Sequence, residues 1–287
     1  MARVVGGIGI SHTPSMGLEY DLGTSRPGGF SPQWQPWFDG TRRVAELTAA
    51  LAPDHLVVVY NDHLNHFDLD NYPTLAIGVG ERFPQADEGW GPRDLPDLSG
   101  DVRWGLHLTE QLISREFDLT VSQNLAIDHG IFSWLPYVFG RGAGAWPVTV
   151  TPVAVNMVRE PLPVPARLRS LGRAIRASVE AFPGPGRVLV IATGGMSHQI
   201  SGARFGIANE DLDRYFLRKL PGDLDELVAI PVREFMRLGG TEAAELTLWF
   251  AMRAALSERA RPAYTFQTFP GITGCGALVM TEEEQDS

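Results

Sequence analysis

Apolar positions along the chain fall into short β-branched runs separated by longer stretches with helical spacing. Val4–Ile10 reads as a strand, and His55–Tyr60 (HLVVVY) and Pro73–Val79 (PTLAIGV) are too continuously apolar to alternate, which predicts strands covered on both faces. Leu119–Gln123, Val148–Asn156 and Arg187–Thr193 read as further strands, and Tyr264–Phe269 and Ala277–Thr281 as closing ones. Helical spacing marks Asp39–Leu51, with Val44, Leu47 and Leu51 on one face. It also marks Asp101–Glu116, with Asp101 as N-cap and Leu106, Leu108, Leu112 and Ile113 facing inward. Ala166–Phe182 is a third helix, stopped by Pro183 and Gly184, and Thr241–Glu258 carries the strongest helical pattern of all. This alternation predicts an α/β fold, a central mixed sheet flanked by helices on both faces. One domain over 1–281 is expected, followed by an acidic tail over 282–287.

Composition narrows the classes. Lys and Arg number 24 against 34 Asp and Glu, a formal charge of −10, which argues against a nucleic-acid binder that needs clustered cations. A single cysteine, Cys275, has no partner for an internal disulfide. The apolar start is interrupted by His12 and Pro14, and no run approaches the ~18 residues that span a bilayer. A cytoplasmic protein without membrane attachment is expected. Leu22–Pro36, Glu81–Gly100 and Pro270–Gly276 are rich in Gly and Pro and read as long loops, which in compact domains are often functional.

The chemistry concentrates on histidine. Four of the seven follow predicted strands: His12, His63, His129 and His198. In open α/β sheets the ligand crevice lies beyond the carboxyl ends of the strands, so parallel neighbours would bring four imidazoles together. His55 at a strand start, His107 in a helix and His66 one turn past His63 read as structural. Two neutral imidazoles with one carboxylate, leaving open positions, form the facial triad of non-haem Fe(II) oxygenases. The candidate carboxylates are Asp62, Asp128, Glu242 and Glu245. Asp62 and Asp128 directly precede histidines and suit turn-forming or orienting roles. Glu242 would sit in a first helical turn, where it offsets the dipole, whereas Glu245 lies among Ala244, Leu246, Leu248 and Trp249. Spacing leaves the choice between them open. HExxH, CxxC, P-loop, GxGxxG and GxSxG patterns are all absent. The glycines of Ala192–His198 (ATGGMSH) instead suit a tight turn that carries His198 to the crevice.

Several motifs in one order carry a resemblance. They are Ser11-His12-Thr13-Pro14, Val59-Tyr60-Asn61-Asp62-His63, Ala86-Asp87-Glu88-Gly89-Trp90-Gly91-Pro92-Arg93, Asp128-His129-Gly130, Thr193-Gly194-Gly195-Met196-Ser197-His198-Gln199 and Tyr264-Thr265-Phe266. With them, from Arg3 to about Thr281, the chain resembles the LigB-type (class III) extradiol ring-cleavage dioxygenases, in particular the beta subunit of protocatechuate 4,5-dioxygenase. The resemblance implies that His12, His63 and Glu245 hold Fe(II), that His198 is the acid/base residue and that His129 hydrogen-bonds the substrate. It implies oxygen-dependent ring opening of a catechol-type aromatic acid, protocatechuate-like, with gallate, 3-O-methylgallate or another catechol as alternatives.

Two departures stand out. Where the family's beta subunit has Ser and Asn to hold the substrate carboxylate, this chain has Pro270-Gly271-Ile272-Thr273-Gly274-Cys275-Gly276, one residue shorter, leaving Thr273 as the candidate replacement. The family's small helical alpha subunit has no counterpart in the sequence, which implies a separate alpha chain or a homo-oligomer. The rival readings are a metal-dependent hydrolase using Zn on the same ligands, and a non-catalytic binding protein on the same fold.

Overall fold

The strands are β1 (Ala2–Ile10), β2 (His55–Tyr60), β3 (Leu75–Gly78), β4 (Arg82–Phe83), β5 (Leu98–Ser99), β6 (Thr120–Ser122), β7 (Thr149–Val155), β8 (Gly186–Thr193), β9 (Arg261–Thr268) and β10 (Cys275–Thr281). The helices are α1 (Pro14–Ser25), α2 (Gln35–Leu51), α3 (Val102–Ile113), α4 (His129–Phe132), α5 (Leu135–Phe139), α6 (Pro165–Glu180), α7 (Glu210–Lys219), α8 (Leu224–Val228), α9 (Val232–Gly239) and α10 (Trp249–Ala254). Two 3-10 helices cover Gly202–Arg204 and Thr241–Leu248. This computed structural model describes residues 1–140 and 144–283, so most of the expected tail 282–287 lies outside the described residues. Among the described residues no helix is long and apolar enough to cross a membrane.

Eight strands form one mixed sheet in the order β6-β3-β7-β2-β8-β1-β10-β9, and β4 pairs with β5 apart from it. The centre, β7-β2-β8-β1, is parallel, while β3, β10 and the hairpin partner β9 bring antiparallel pairings to the flanks. Both faces are covered, which is why the central strands are apolar without a break. Along β2, Val57 and Val59 join one core with Trp104 and Leu108 of α3, Leu168 and Leu171 of α6 and Phe250 of α10. Leu56, Val58 and Tyr60 join the other, with Trp37 and Phe38 of α2 and Leu135 of α5. Successive side chains of a strand point to opposite faces, so one six-residue run serves two cores. Each fully buried aliphatic side chain contributes roughly 1.5–3 kcal/mol.

Glycine on β1 shows how tightly these layers meet. A Cβ placed on Gly9 would lie 2.1 Å from Trp249 Cε3. Gly9→Val is therefore expected to destabilise the chain by about 1–3 kcal/mol or more through overpacking, read as a lower melting temperature.

The predicted α/β sandwich is present, with informative local differences. Asp101 does cap α3, accepting from Arg103 N and Trp104 N. The buried stripe of that helix, however, is Trp104, Leu108 and Leu112, and Leu106 and Ile113, expected inside, are exposed. Helix α1 enters the stretch expected to be loop, started by Thr13 as N-cap and Pro14 in the first turn. The expected helix over 241–258 is a 3-10 helix that becomes α-helical only at Trp249 and ends at Ala254. Its first residues follow Gly240 at φ 99°, where a Cβ would lie 2.1 Å from the His198 carbonyl oxygen. Close packing on the His198 loop thus fixes the backbone here, and a tightened helix next to a site is a recurrent device.

Candidate metal centre and its histidines

Three parallel strands end together. Ile10 of β1 pairs with Thr193 of β8, Val59 of β2 pairs with Ala192 of β8, and Gly194 N donates to Ile10 O at 3.2 Å. His12, His63 and His198 follow these three ends, as the strand-end argument expects. His129 arrives differently. Strand β6 lies at the sheet edge, separated from β2 by β3 and β7, and runs antiparallel to β2. The chain returns through 123–128, held by Ile127 N to Pro84 O and by Ala126 N to His66 Nδ1. His129 then begins α4 behind its N-cap Asp128.

Every one of the four imidazoles has Nδ1 tied to an oxygen. His12 Nδ1 donates to Thr193 Oγ1 at 2.7 Å, and the Thr193 hydroxyl in turn donates to Gly130 O at 3.1 Å. His63 Nδ1 donates to Asp128 Oδ2 at 2.9 Å, His129 Nδ1 to Glu88 Oε2 at 2.8 Å and His198 Nδ1 to the Met196 carbonyl at 2.8 Å. With Nδ1 donating, each ring in its neutral form has the Nε2 lone pair for a metal or a substrate proton.

The Nε2 atoms of His12 and His63 are 3.2 Å apart. His63 Nε2 lies 3.0 Å from Glu245 Oε1, and His12 Nε2 lies 3.3 Å from Glu245 Oε2. Donors at right angles around a cation, with bonds of about 2.1 Å, would be roughly 3 Å apart. Glu245 is further held by Asn61 Nδ2 at 3.1 Å and by Gly195 N at 2.7 Å. His12, His63 and His129 also group, with a ligand atom of each lying within 4.8 Å of the others.

Charge favours a cation here. Burial disfavours the Glu245 carboxylate, yet His12 and His63 hold its pKa well below the usual range. Burial likewise opposes ionisation of Asp128, and His63 with His129 overrides it, so Asp128 remains a carboxylate. Burial lowers the pKa of His12, opposed by Glu245. Burial also opposes a charge on His63, but Asp128 and Glu245 on its two sides raise its pKa well above normal. Among the described residues, no Lys or Arg pairs with either carboxylate. Two buried carboxylates facing imidazole nitrogens need a proton or a metal between them, so the donor set fits a divalent cation. Asp128→Asn is expected to weaken metal binding by about 10- to 100-fold, measurable by chelator competition, because it loosens the ring of His63.

The remaining candidates take distinct places. Asp62 accepts from the amides of Asn65, His66 and Phe67 and so builds the turn after His63, where Leu64 has φ 63°. Glu242 is half-buried, and its Oε2 has no hydrogen-bond partner among the described residues. His198 is buried with its ring over Gly195, where a Cβ would lie 2.2 Å from Cε1, and Thr273 forms an isolated antiparallel bridge with it. The three other histidines are structural. His55 bridges Thr149 and Thr151, His107 binds Ser178 O, and His66 Nδ1 accepts from Ala126 N. Sequence reasoning missed Asn61, Glu88, Thr193 and the Gly195 amide, although Asn61, Thr193 and Gly195 adjoin or closely precede the chosen histidines.

Residues 6–280 match the family model described as the catalytic LigB subunit of aromatic ring-opening dioxygenase. A gallate dioxygenase from Pseudomonas putida is 34% identical over 200 residues, covering 70% of this chain, and the match spans 58% of that protein's length. A 2,3-dihydroxyphenylpropionate/2,3-dihydroxicinnamic acid 1,2-dioxygenase from Klebsiella pneumoniae is 28% identical, covering 85% of this chain and 90% of that one. The fold is shared with the crystal structure of an uncharacterized Escherichia coli K12 protein, at a TM-score of 0.54 and 12% identity over 96% of this chain and 99% of the other. A family match over nearly the whole chain, met by strand-end histidines arranged around one carboxylate, places the protein in the family of catalytic LigB subunits of aromatic ring-opening dioxygenases.

Proposed function

We propose that this chain is a non-haem Fe(II)-dependent extradiol dioxygenase that opens the ring of a catechol-type aromatic acid beside its diol. The observation that carries the reading is the convergence of His12 Nε2, His63 Nε2 and the Glu245 carboxylate within 3.0–3.3 Å of one another. Two imidazoles and one carboxylate are the protein donors of a facial triad, which leaves positions for two substrates. Fe(II), when bound, supplies the Lewis acidity and electron transfer that let a catechol react with O2.

The chain's own residues supply proton handling and orientation. His198 Nε2, with Nδ1 spent on Met196 O, takes a hydroxyl proton from the diol and returns it later in the cycle. His129, fixed at both Nδ1 and its backbone amide by Glu88, presents Nε2 to a substrate oxygen. The carbon–carbon bond beside the diol breaks, and both oxygen atoms of O2 end in the ring-opened product, a semialdehyde acid where the neighbouring ring carbon bears hydrogen. Thr273, bridged to His198, is the residue we assign to the ring substituent. A protocatechuate-like acid and a gallate-like one both suit this site, and the named relatives act on gallate and on dihydroxyphenylpropionate.

Leu64, Trp90, Ile200, Phe205 and Ile272 are large apolar side chains left exposed on the loops that carry the site. They suit a surface covered by another chain, a small alpha subunit or a second copy. The lone, buried Cys275 suits a cytoplasmic setting.

Substrate choice is tested with Fe(II)-loaded protein and an oxygen electrode. Protocatechuate, gallate, 3-O-methylgallate and catechols without a carboxylate are compared. Oxygen uptake with an aromatic acid at a kcat/KM well above that of the plain catechols is expected. Equal rates with and without the carboxylate would remove the aromatic-acid assignment.

A further inference from the structure

The loop that carries His198 is anchored at two points. Upstream, Gly195 N donates to Glu245 Oε2 at 2.7 Å. Downstream, Ser197 donates twice to one buried carboxylate: its amide to Asp213 Oδ1 at 2.9 Å and its hydroxyl to Asp213 Oδ2 at 2.7 Å. Ser197 Oγ in turn accepts from Asn209 N at 2.7 Å, and Asn209 caps the helix on which Asp213 sits. The opposite strand of this clamp is the loop of Thr273. Gly274 N donates to Ser197 O at 2.9 Å, and Met196 N donates to Gly274 O at 3.1 Å. The Asp213 carboxylate also lies against Gly274, where a Cβ would fall 2.1 Å from Oδ2.

We propose that Asp213 is a positioning residue for the acid/base histidine, fixing His198 and the Thr273 loop in one arrangement through Ser197. This rests on the acid/base role assigned to His198 above. Asp213 is fully buried, and among the described residues no cation pairs with it. Burial raises its pKa to about 6, opposed by the Ser197 hydrogen bonds and reinforced by Glu210 on the same helix. Cys275 on β10 is the other titratable group facing it. A carboxylate in such a place is a poor choice for stability alone, because the neutral amide would be easier to bury. Its two oxygens accept one hydrogen bond each from the amide and the hydroxyl of Ser197, whereas an amide would set an NH2 donor at one of those two places.

The test compares Asp213→Asn, Ser197→Ala and His198→Gln, singly and with Asp213→Asn in the His198→Gln background, all on Fe(II)-loaded protein. Asp213→Asn and Ser197→Ala are expected to lower kcat by about 10- to 100-fold, as for a displaced catalytic group, with a smaller change in KM. In the His198→Gln background Asp213→Asn should cost nothing further. A second readout needs no metal. The folded pKa of about 6 lies above the ordinary 3.8, so the stability linked to Asp213 is present below 3.8 and lost as pH rises through about 6. Metal-free wild type should therefore lose more melting temperature between pH 4 and 7 than metal-free Asp213→Asn. Wild-type kcat in Asp213→Asn beside an impaired His198→Gln would overturn this inference alone, as would an equal loss in both backgrounds. Full turnover by His198→Gln would remove the acid/base reading and this inference with it. If Asp213→Asn fails to fold, Ser197→Ala in the two backgrounds decides the same question.

Discussion

Glu245→Ala is expected to retain no stoichiometric metal after Fe(II) loading and desalting, and to show no oxygen uptake with any catechol. The carboxylate meets both His12 Nε2 and His63 Nε2, and it is the negative charge that makes a buried cation favourable there. Its loss also leaves Asn61 Nδ2 and Gly195 N without their acceptor, a cost of about 1–3 kcal/mol for each group left unsatisfied. His12→Ala and His63→Ala should lose metal in the same way, since each removes one of three donors. Glu242→Ala is the control. Its side chain is half-buried, and Oε2 bonds nothing among the described residues, so iron content and turnover should stay near wild type. Metal lost from Glu242→Ala and kept by Glu245→Ala would reverse the assignment.

His198→Gln separates chemistry from binding. It should keep iron, melt normally and still bind catechol, while kcat falls by about 10²–10⁴-fold, the usual worth of general acid/base catalysis. Gln carries its amide at the position of Nε2, so His198→Asn, whose amide nitrogen matches Nδ1, is the companion variant that keeps a donor for the Met196 carbonyl. What neither can do is titrate. If His198 served only to pin the loop, the mutant would lose melting temperature and substrate affinity together. Normal iron content, normal melting and full turnover would exclude it as the catalytic base.

The parts of this protein that were legible in its sequence are those fixed by local pattern. Unbroken apolar runs announced β1, β2 and β8, and the histidines beyond them were placed by the rule that crevices form at strand carboxyl ends. That rule named His129 for the wrong reason, since β6 runs antiparallel to the central strands and only the return through 123–128 delivers the residue. Pairing direction is a long-range property that no window of sequence contains. The supports of the site were hidden for the same reason. Thr193 meets His12 across 181 residues and Asn61 meets Glu245 across 184. Helical spacing over 241–258 does not reveal that its first half winds as a 3-10 helix, which starts behind Gly240 packed against the His198 carbonyl.

Iron-dependent oxygen insertion at the His12/His63/Glu245 site is measured with isotopic oxygen. Protein loaded anaerobically with Fe(II) is mixed with an aromatic catechol under ¹⁸O2, and the product is weighed by mass spectrometry. A ring-opened acid is expected, carrying both labelled atoms once any aldehyde is trapped by reduction before exchange with water, formed one-to-one with oxygen consumed and absent from Glu245→Ala. Zinc-loaded protein hydrolysing a substrate without taking up oxygen, or Fe(II)-loaded protein yielding no labelled product from any catechol, would contradict iron-dependent insertion.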